Sequence, residues 1–229
     1  MCGVSENYYH ILKASCIFNQ VPEDKYANVL SCLEAKTAAY SQDATVVSAG
    51  DNNNPAGIVL SGTLEVYHYD ENGNQVIVHH LKEGNVFGAA TSCAGQLPSQ
   101  IYLRAASDCQ VLLLNFGVLL SEKTLTCPCR MQVTANLMQE FARRVVFLNT
   151  RIRILSQKKL RDKLKIYLQT LRISPSGVIT LPFNRSKLAE FLYVDRSALS
   201  RELCRLRDEG IILFSGSKIT LLKREFLTK

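Results

Sequence analysis

The chain has no apolar stretch long enough to cross a membrane. Its longest nearly apolar run, Val111 to Leu120, falls well short of a span and contains Asn115. The opening residues, MCGVSENYYH, lack the basic start and the apolar centre of a secretory signal, so a cytosolic (cytoplasmic) location is expected. Tryptophan is absent. No long basic helix carries aromatic residues on its opposite face, which argues against attachment to an anionic membrane surface. No G-x-S-x-G elbow, Walker loop or H-E-x-x-H pair occurs, so the chain is not expected to be an enzyme. The eight cysteines of a cytosolic protein are expected as thiols rather than disulfides.

What is present is a globular composition with a split charge. Of 229 residues, 47% are apolar, enough for a sizeable core. Residues 1–140 hold 7 Lys/Arg against 13 Asp/Glu, a net of −6, whereas residues 141–229 hold 20 against 7, a net of +13. An acidic half joined to a basic half suggests a regulatory part and a part that meets a polyanion.

Residues 5–35 read as short helices, with Tyr8, Ile11 and Leu12 and then Val29, Leu30, Cys32 and Leu33 as apolar positions. From Ala38 the pattern turns to short strands punctuated by glycines at 57, 62, 73, 84 and 88. Asp70-Glu71-Asn72-Gly73 reads as a hairpin turn, since Asn-Gly supports positive φ. On the strand before it, Leu64, Val66 and His68 alternate with Thr63, Glu65, Tyr67 and Tyr69, so one face is expected to be buried. Ser92 to Pro98 reads as less regular, and IYLRAAS and CQVLLLN as two further strands. These strands predict an antiparallel barrel or roll over about residues 38–116. In residues 130–156 the apolar positions Val133, Leu137, Phe141, Val145, Leu148, Ile152 and Leu155 repeat every three or four residues without Gly or Pro. That seam predicts a long helix that pairs with a second copy.

The densest signal lies in Asn184 to Glu209. Leu188, Ala189, Phe191 and Leu192 mark one helix, and Ala198, Leu199, Leu203 and Leu206 mark the apolar face of another. Tyr193-Val194-Asp195 separates them, and Asp195 is expected to cap the second helix with its carboxylate. The opposite face carries Arg196, Ser197, Ser200, Arg201 and Arg205. A tight turn between two helices with a basic, hydroxyl-rich outer face predicts a helix-turn-helix. Ile211 to Phe214 and Lys218 to Leu222, joined across Ser215-Gly216-Ser217, predict the β-wing of a winged helix.

The order of these parts, with GIVLSGTLEVYHYDENGNQV and KEGNVFG in the roll and DRSALSREL near the C-terminus, resembles the CRP/FNR family of bacterial transcription regulators. The resemblance covers nearly the whole chain. It implies an α+β architecture: a jelly-roll-like, cyclic-nucleotide-binding-like sensor domain (1–129), a dimerisation helix (130–156) and a winged-helix DNA-binding domain (157–229). The implied partners are a second copy, a palindromic double-stranded DNA operator and RNA polymerase, with no membrane. The family's base-contacting positions fall on Arg196, Ser197, Ser200 and Arg201, and its phosphate-contacting positions on Asn184 and Ser186. Arg205 continues the basic face, and Arg201 is the candidate for a bidentate contact to guanine. Two departures stand out. Many members have Glu where Ser197 stands, and the turn commonly has Gly where Tyr193 stands. A tyrosine at positive φ costs on the order of 1 kcal/mol, so a differently shaped turn is expected.

The family's cyclic-AMP pocket follows the FG of NVFG and uses a Glu against the ribose and an Arg-Ser pair against the phosphate. Here Gly88 is followed by Ala89, and the Arg-Ser positions hold Ser99 and Gln100. A phosphate would enter without a counter-charge, so cyclic AMP is rejected as effector and the effector is left open, with no cofactor assigned. Grouped N-terminal cysteines of the kind that hold an iron–sulfur cluster are missing. Cys127-Pro128-Cys129, just before the long helix, is a candidate redox or soft-metal pair. A thiol-, metal- or haem-based redox or gas sensor with the same DNA output is the alternative reading. His79 and His80, adjacent on a strand, point to opposite faces and do not ligate one ion together.

Overall fold

The computed structural model describes residues 6–51, 55–95, 98–121 and 128–228. Two compact units divide the chain, residues 1–142 and residues 143–229.

In the first unit, α1 (Tyr9–Ala14) and α2 (Tyr26–Cys32) precede eight strands: β1 (Lys36–Tyr40), β2 (Thr45–Val47), β3 (Gly57–Ser61), β4 (Leu64–Tyr69), β5 (Gln75–Leu81), β6 (Val86–Phe87), β7 (Tyr102–Ala105) and β8 (Cys109–Leu113). They form two four-stranded antiparallel sheets, ordered β1-β8-β3-β6 and β2-β7-β4-β5. The pleat of β3 explains how they pack. Its side chains alternate faces, so Val59 joins Leu64, Leu103 and Val111 in the core between the sheets. Ile58 and Leu60 point the other way, into a second core with α1, α2 and Leu112. Both faces are covered, which is why β3 reads as an unbroken apolar run.

The Asp70–Gly73 turn is confirmed as the β4–β5 hairpin. Asp70 accepts from the backbone N–H groups of Asn72 (2.9 Å) and Asn74 (2.8 Å). The alternation expected along β4 fails at three positions. Glu65 and Tyr67 are buried beside Leu64, whereas His68 is exposed. Glu65 stands opposite Arg104 on β7 and accepts from its Nε (3.0 Å) and Nη2 (2.8 Å). That forked ion pair satisfies a carboxylate that could not otherwise leave water. His79 and His80 are both exposed on β5. The patch expected to be irregular begins with a short helix, α3 (Ala89–Ala94).

The helix α4 runs from Arg130 to Leu155. Its apolar seam is not used uniformly. Val133 and Leu137 are buried in the core of the first unit, and Phe141 packs partly against it. Farther along, Val145, Leu148 and Ile152 are exposed by 54%, 53% and 64%.

The second unit comprises the end of α4, α5 (Leu160–Gln169), β9 (Val178–Thr180), α6 (Arg185–Leu192), α7 (Arg196–Asp208), β10 (Ile212–Ser215) and β11 (Lys218–Leu221). The strands form an antiparallel sheet ordered β10-β11-β9. Leu164, Leu168, Ile179, Leu188, Leu192, Leu199, Leu203, Leu206, Ile212 and Ile219 are fully buried in one core with Ile154 of α4. The α7–β10–β11 succession is the predicted winged helix.

Candidate nucleic-acid interface

The reader is assembled from its caps inward. Asn184 starts α6, its side-chain oxygen accepting from the Lys187 N–H (2.9 Å). An orphan donor of the first turn is thereby satisfied. Asn184 and Ser186 are exposed beside this turn. At the other end, the Val194 N–H donates to the Ala189 carbonyl (3.0 Å) and the Tyr193 N–H to that of Glu190 (3.0 Å). This is a Schellman ending, which requires a left-handed residue. Tyr193 supplies it, with φ 54° and ψ 58°. The expectation that tyrosine would reshape the turn is therefore corrected. The two carbonyl bonds hold the left-handed geometry, and the side chain, 84% exposed, meets no obstacle.

Asp195 precedes α7 in extended conformation, and its backbone carbonyl accepts from Leu199 N–H (3.0 Å). The carboxylate makes no capping bond, which corrects the role expected for it. Asn184 does the side-chain capping in this motif.

Helix α7 buries Leu199, Leu203 and Leu206, with Glu202 on the same side. Arg196, Ser197, Arg201 and Arg205 are exposed, and Ser200 is half-buried. Positions 197, 201 and 205, and positions 196 and 200, are four apart, so these side chains share one stripe.

The charge pattern matters more than the count. Each acid of α7 and its C-cap is engaged by an arginine. Glu202 accepts from Arg161 Nε (2.7 Å) and lies 3.7 Å from Arg205. Asp208 pairs with Arg207 at 2.9 Å. Glu209 takes the other side of the Arg161 fork, at 2.9 and 2.6 Å. The Arg161 fork holds the Glu209 carboxyl below the usual carboxylate range and the guanidinium above its own. Among the described residues, no ion pair or hydrogen bond engages the side chains of Arg196 or Arg201. The stripe thus keeps uncompensated positive charge with donors directed at solvent, a surface suited to a polyanion. Sequence reasoning missed the Arg161–Glu202–Glu209 network, because its members lie 41 and 48 residues apart.

The hairpin β10–β11 turns at Gly216 (φ 56°) and carries exposed Lys218. Two guanidinium groups lie over the wing residue Phe214, Arg185 at 4.5 Å and Arg207 at 5.8 Å from its ring centre. These contacts tie the start of α6 and the end of α7 to the wing.

Two family models match the chain, a cyclic nucleotide-binding domain over residues 37–121 and a Crp-like helix-turn-helix domain over residues 162–229. The chain belongs to the CRP/FNR family of transcription regulators. Family membership makes it a DNA-binding regulator and not an enzyme. It is 26% identical over 185 residues to "Probable transcriptional regulator flp" of Lacticaseibacillus casei, covering 79% of this chain and 81% of that one. It is 22% identical over 188 residues to the cAMP-activated global transcriptional regulator CRP of Pasteurella multocida, covering 80% and 88%. In fold it is similar to the catabolite activator protein of Thermus thermophilus, with a TM-score of 0.53, 21% identity, and 93% and 98% of the two chains covered. The global regulator CLP of Xanthomonas campestris gives a TM-score of 0.53 at 15% identity, covering 88% and 100%.

In this CRP/FNR-family roll, the positions aligned with the cyclic-nucleotide pocket are occupied as follows. Gly88 has φ 65°, and a Cβ there would lie 2.4 Å from the Pro55 carbonyl oxygen, so glycine is required. Ala89 is buried. The buried Ser99 hydroxyl donates to the Ile101 carbonyl (2.7 Å) and accepts from the Ile101 N–H (3.2 Å). Its backbone bonds Gly50 and Asp51. Gln100 is exposed. Arg104, on the following strand, is already committed to Glu65.

Cys127 lies outside the described residues. Cys129 is half-buried and packs against the core of the first unit. Among the described residues, no group of three or more His, Cys, Asp or Glu is arranged to hold a metal, and no helix is long and apolar enough to cross a membrane.

Proposed function

We propose that this regulator acts as a homodimer that reads a palindromic operator through α7 and answers a signal other than cyclic AMP. The observation that carries the reading is the stripe of Arg196, Ser197, Ser200 and Arg201, whose two arginines are left uncompensated while every acid of the helix is paired. Arg201 donates to a guanine edge in the major groove, Arg196 and Arg205 flank it, and Asn184 and Ser186 meet phosphate at the entry to α6. Ser197, with only a hydroxyl to offer, gives weaker discrimination at its base step than a carboxylate would.

The second copy is supported by the part of the α4 seam that the chain leaves uncovered, Val145, Leu148 and Ile152. A parallel pairing of this helix buries them and sets two readers on a two-fold axis that matches a palindrome. Residues 1–129 serve as sensor, 130–156 as the dimerisation lever and 157–229 as reader, with RNA polymerase as the downstream partner.

The input follows from charge. None of the pocket positions Gly88, Ala89, Ser99 and Gln100 carries a cation, and Ser99 spends its hydroxyl on Ile101. An effector there is smaller or more apolar than a cyclic nucleotide, and it shifts the population between two arrangements of the readers. Selection of bound DNA from a random pool tests the proposal. A two-fold symmetric consensus that cyclic AMP neither strengthens nor weakens is expected. An asymmetric consensus, or a cyclic AMP requirement, contradicts it.

A further inference from the structure

The part of α4 from Arg143 to Leu155 belongs to the same compact unit as the reader. It presents two faces. Val145, Leu148 and Ile152 form the exposed seam. Phe147, Arg151 and Ile154 follow the same spacing on a second face, about a third of a turn away. That second face meets the helix-turn-helix. Ile154 is fully buried in the core that holds Leu188, Leu192 and Leu199. The ring centres of Phe147 and Phe191 lie 6.3 Å apart, and the Arg151 guanidinium lies 5.5 Å from the Phe191 ring centre.

Phe191 is itself fixed within the unit. Its ring centre lies 5.3 Å from that of Tyr167 on α5 and 5.4 Å from that of Phe183, just before α6. These separations fall in the range of attractive ring pairs. Tyr167 is buried, so Phe191 rests on a ring that has little room to move. Two anchors do what one does not. A helix held only at Ile154 is free to pivot about that point. Phe147 lies two turns earlier, about 10 Å along the axis, and a contact there removes the pivot. Phe147 remains 53% exposed, so it adds little to the core that Ile154 joins.

We propose that Phe147 and Phe191 are positioning residues whose contact locks the helix-turn-helix onto α4 and so fixes the half-site spacing that the regulator accepts, a role that rests on the dimeric reading above. They act through α7 and not on DNA. One face of α4 pairs the copies and the other grips the reader. The separation of the two α7 helices is therefore set within residues 143–229, by a helix that cannot turn against its own reader. Without the Phe147–Phe191 contact each reader swings about Ile154, and the dimer tolerates half-sites at the wrong separation.

Fluorescence anisotropy of the full chain with four duplexes tests this. One carries the two selected half-sites at the selected spacing, one has a base pair added between them, one has a base pair removed, and one holds a single half-site. Each added pair rotates the second half-site by roughly a tenth of a turn, so the parent should discriminate against both altered spacings. Phe147→Ala should shrink that discrimination about three- to tenfold and leave affinity for the single half-site unchanged. Its melting temperature should stay within a few degrees of the parent, because the side chain is half exposed. Phe191→Leu keeps an apolar side chain without the ring and should relax the spacing in the same way. Phe147→Tyr keeps the ring and should keep the discrimination. Full discrimination in Phe147→Ala, an equal loss on the single half-site, or a Phe147→Tyr protein as relaxed as Phe147→Ala would each overturn the proposal. A parent that binds every spacing alike would overturn the dimeric reading and this role with it, so the parent alone tells the two failures apart.

Discussion

Replacing Tyr193 by glycine should stabilise the DNA-binding unit. Tyr193 adopts φ 54° at the Schellman end of α6, a conformation that costs an ordinary L-residue about 1–2 kcal/mol. Glycine removes that cost but gives the unfolded chain more freedom, which takes back about 0.4–1 kcal/mol. The side chain is 84% exposed, so little packing is lost. The net gain is about 0.5–1 kcal/mol. For a unit the size of residues 143–229, that corresponds to a rise in melting temperature of about 2–8 °C. Thermal and urea unfolding of the full chain, followed by circular dichroism, measure it. Tyr193→Ala is the control, because it shortens the side chain yet keeps the left-handed penalty, and its melting temperature should stay near the parent value. If glycine lowers stability, or if glycine and alanine behave alike, the backbone argument is wrong and the tyrosine ring contributes in some other way.

Arg161→Ala should destabilise the same unit by about 2 kcal/mol, less than a fully buried pair would cost because Arg161 is partly exposed. It strands Glu202, and Glu202→Leu in the same chain should restore most of the loss in urea unfolding. Glu209 gives a pH signature. Its folded carboxyl titrates below its ordinary value of 4.5 because Arg161 donates to it. Its contribution is therefore complete above that value and vanishes as the pH falls through the lower, folded one. Melting curves of the parent and Glu209→Gln should differ at neutral pH and converge in acid; a constant gap across that range would contradict the assignment. Leu148→Lys places a charge in the uncovered α4 seam and should yield monomers by sedimentation, whereas a persisting dimer would remove that seam from the interface.

How far the sequence could be read depended on the range of the signal. The Asn72-Gly73 turn, the α4 periodicity and the buried stripe of α7 are local patterns, and the structure follows them. The burial of Glu65 was not legible, because alternation predicted one buried face without saying which and the partner Arg104 lies on another strand. Asp195 has the residue type of a cap, but its side chain makes no capping bond; Asn184, noted for phosphate, does the capping. Tyr193 raised the opposite difficulty. Propensity argued against the left-handed turn, yet two backbone hydrogen bonds enforce it. The aromatic cluster of Phe147, Tyr167, Phe183 and Phe191 was illegible, since its rings come from separate elements and no short motif marks it.

The central claim is that the uncompensated arginines of α7 read DNA bases. The most direct measurement is the affinity of the parent and Arg201→Ala for the selected operator and for a scrambled duplex, across a series of salt concentrations. Parent binding should weaken steeply as salt rises. Arg201→Ala should lose about 1–3 kcal/mol on the operator and much less on the scrambled duplex, relaxing preference at one base step in each half-site. A flat salt response, or an Arg201→Ala protein that keeps both its affinity and its preference, would contradict it.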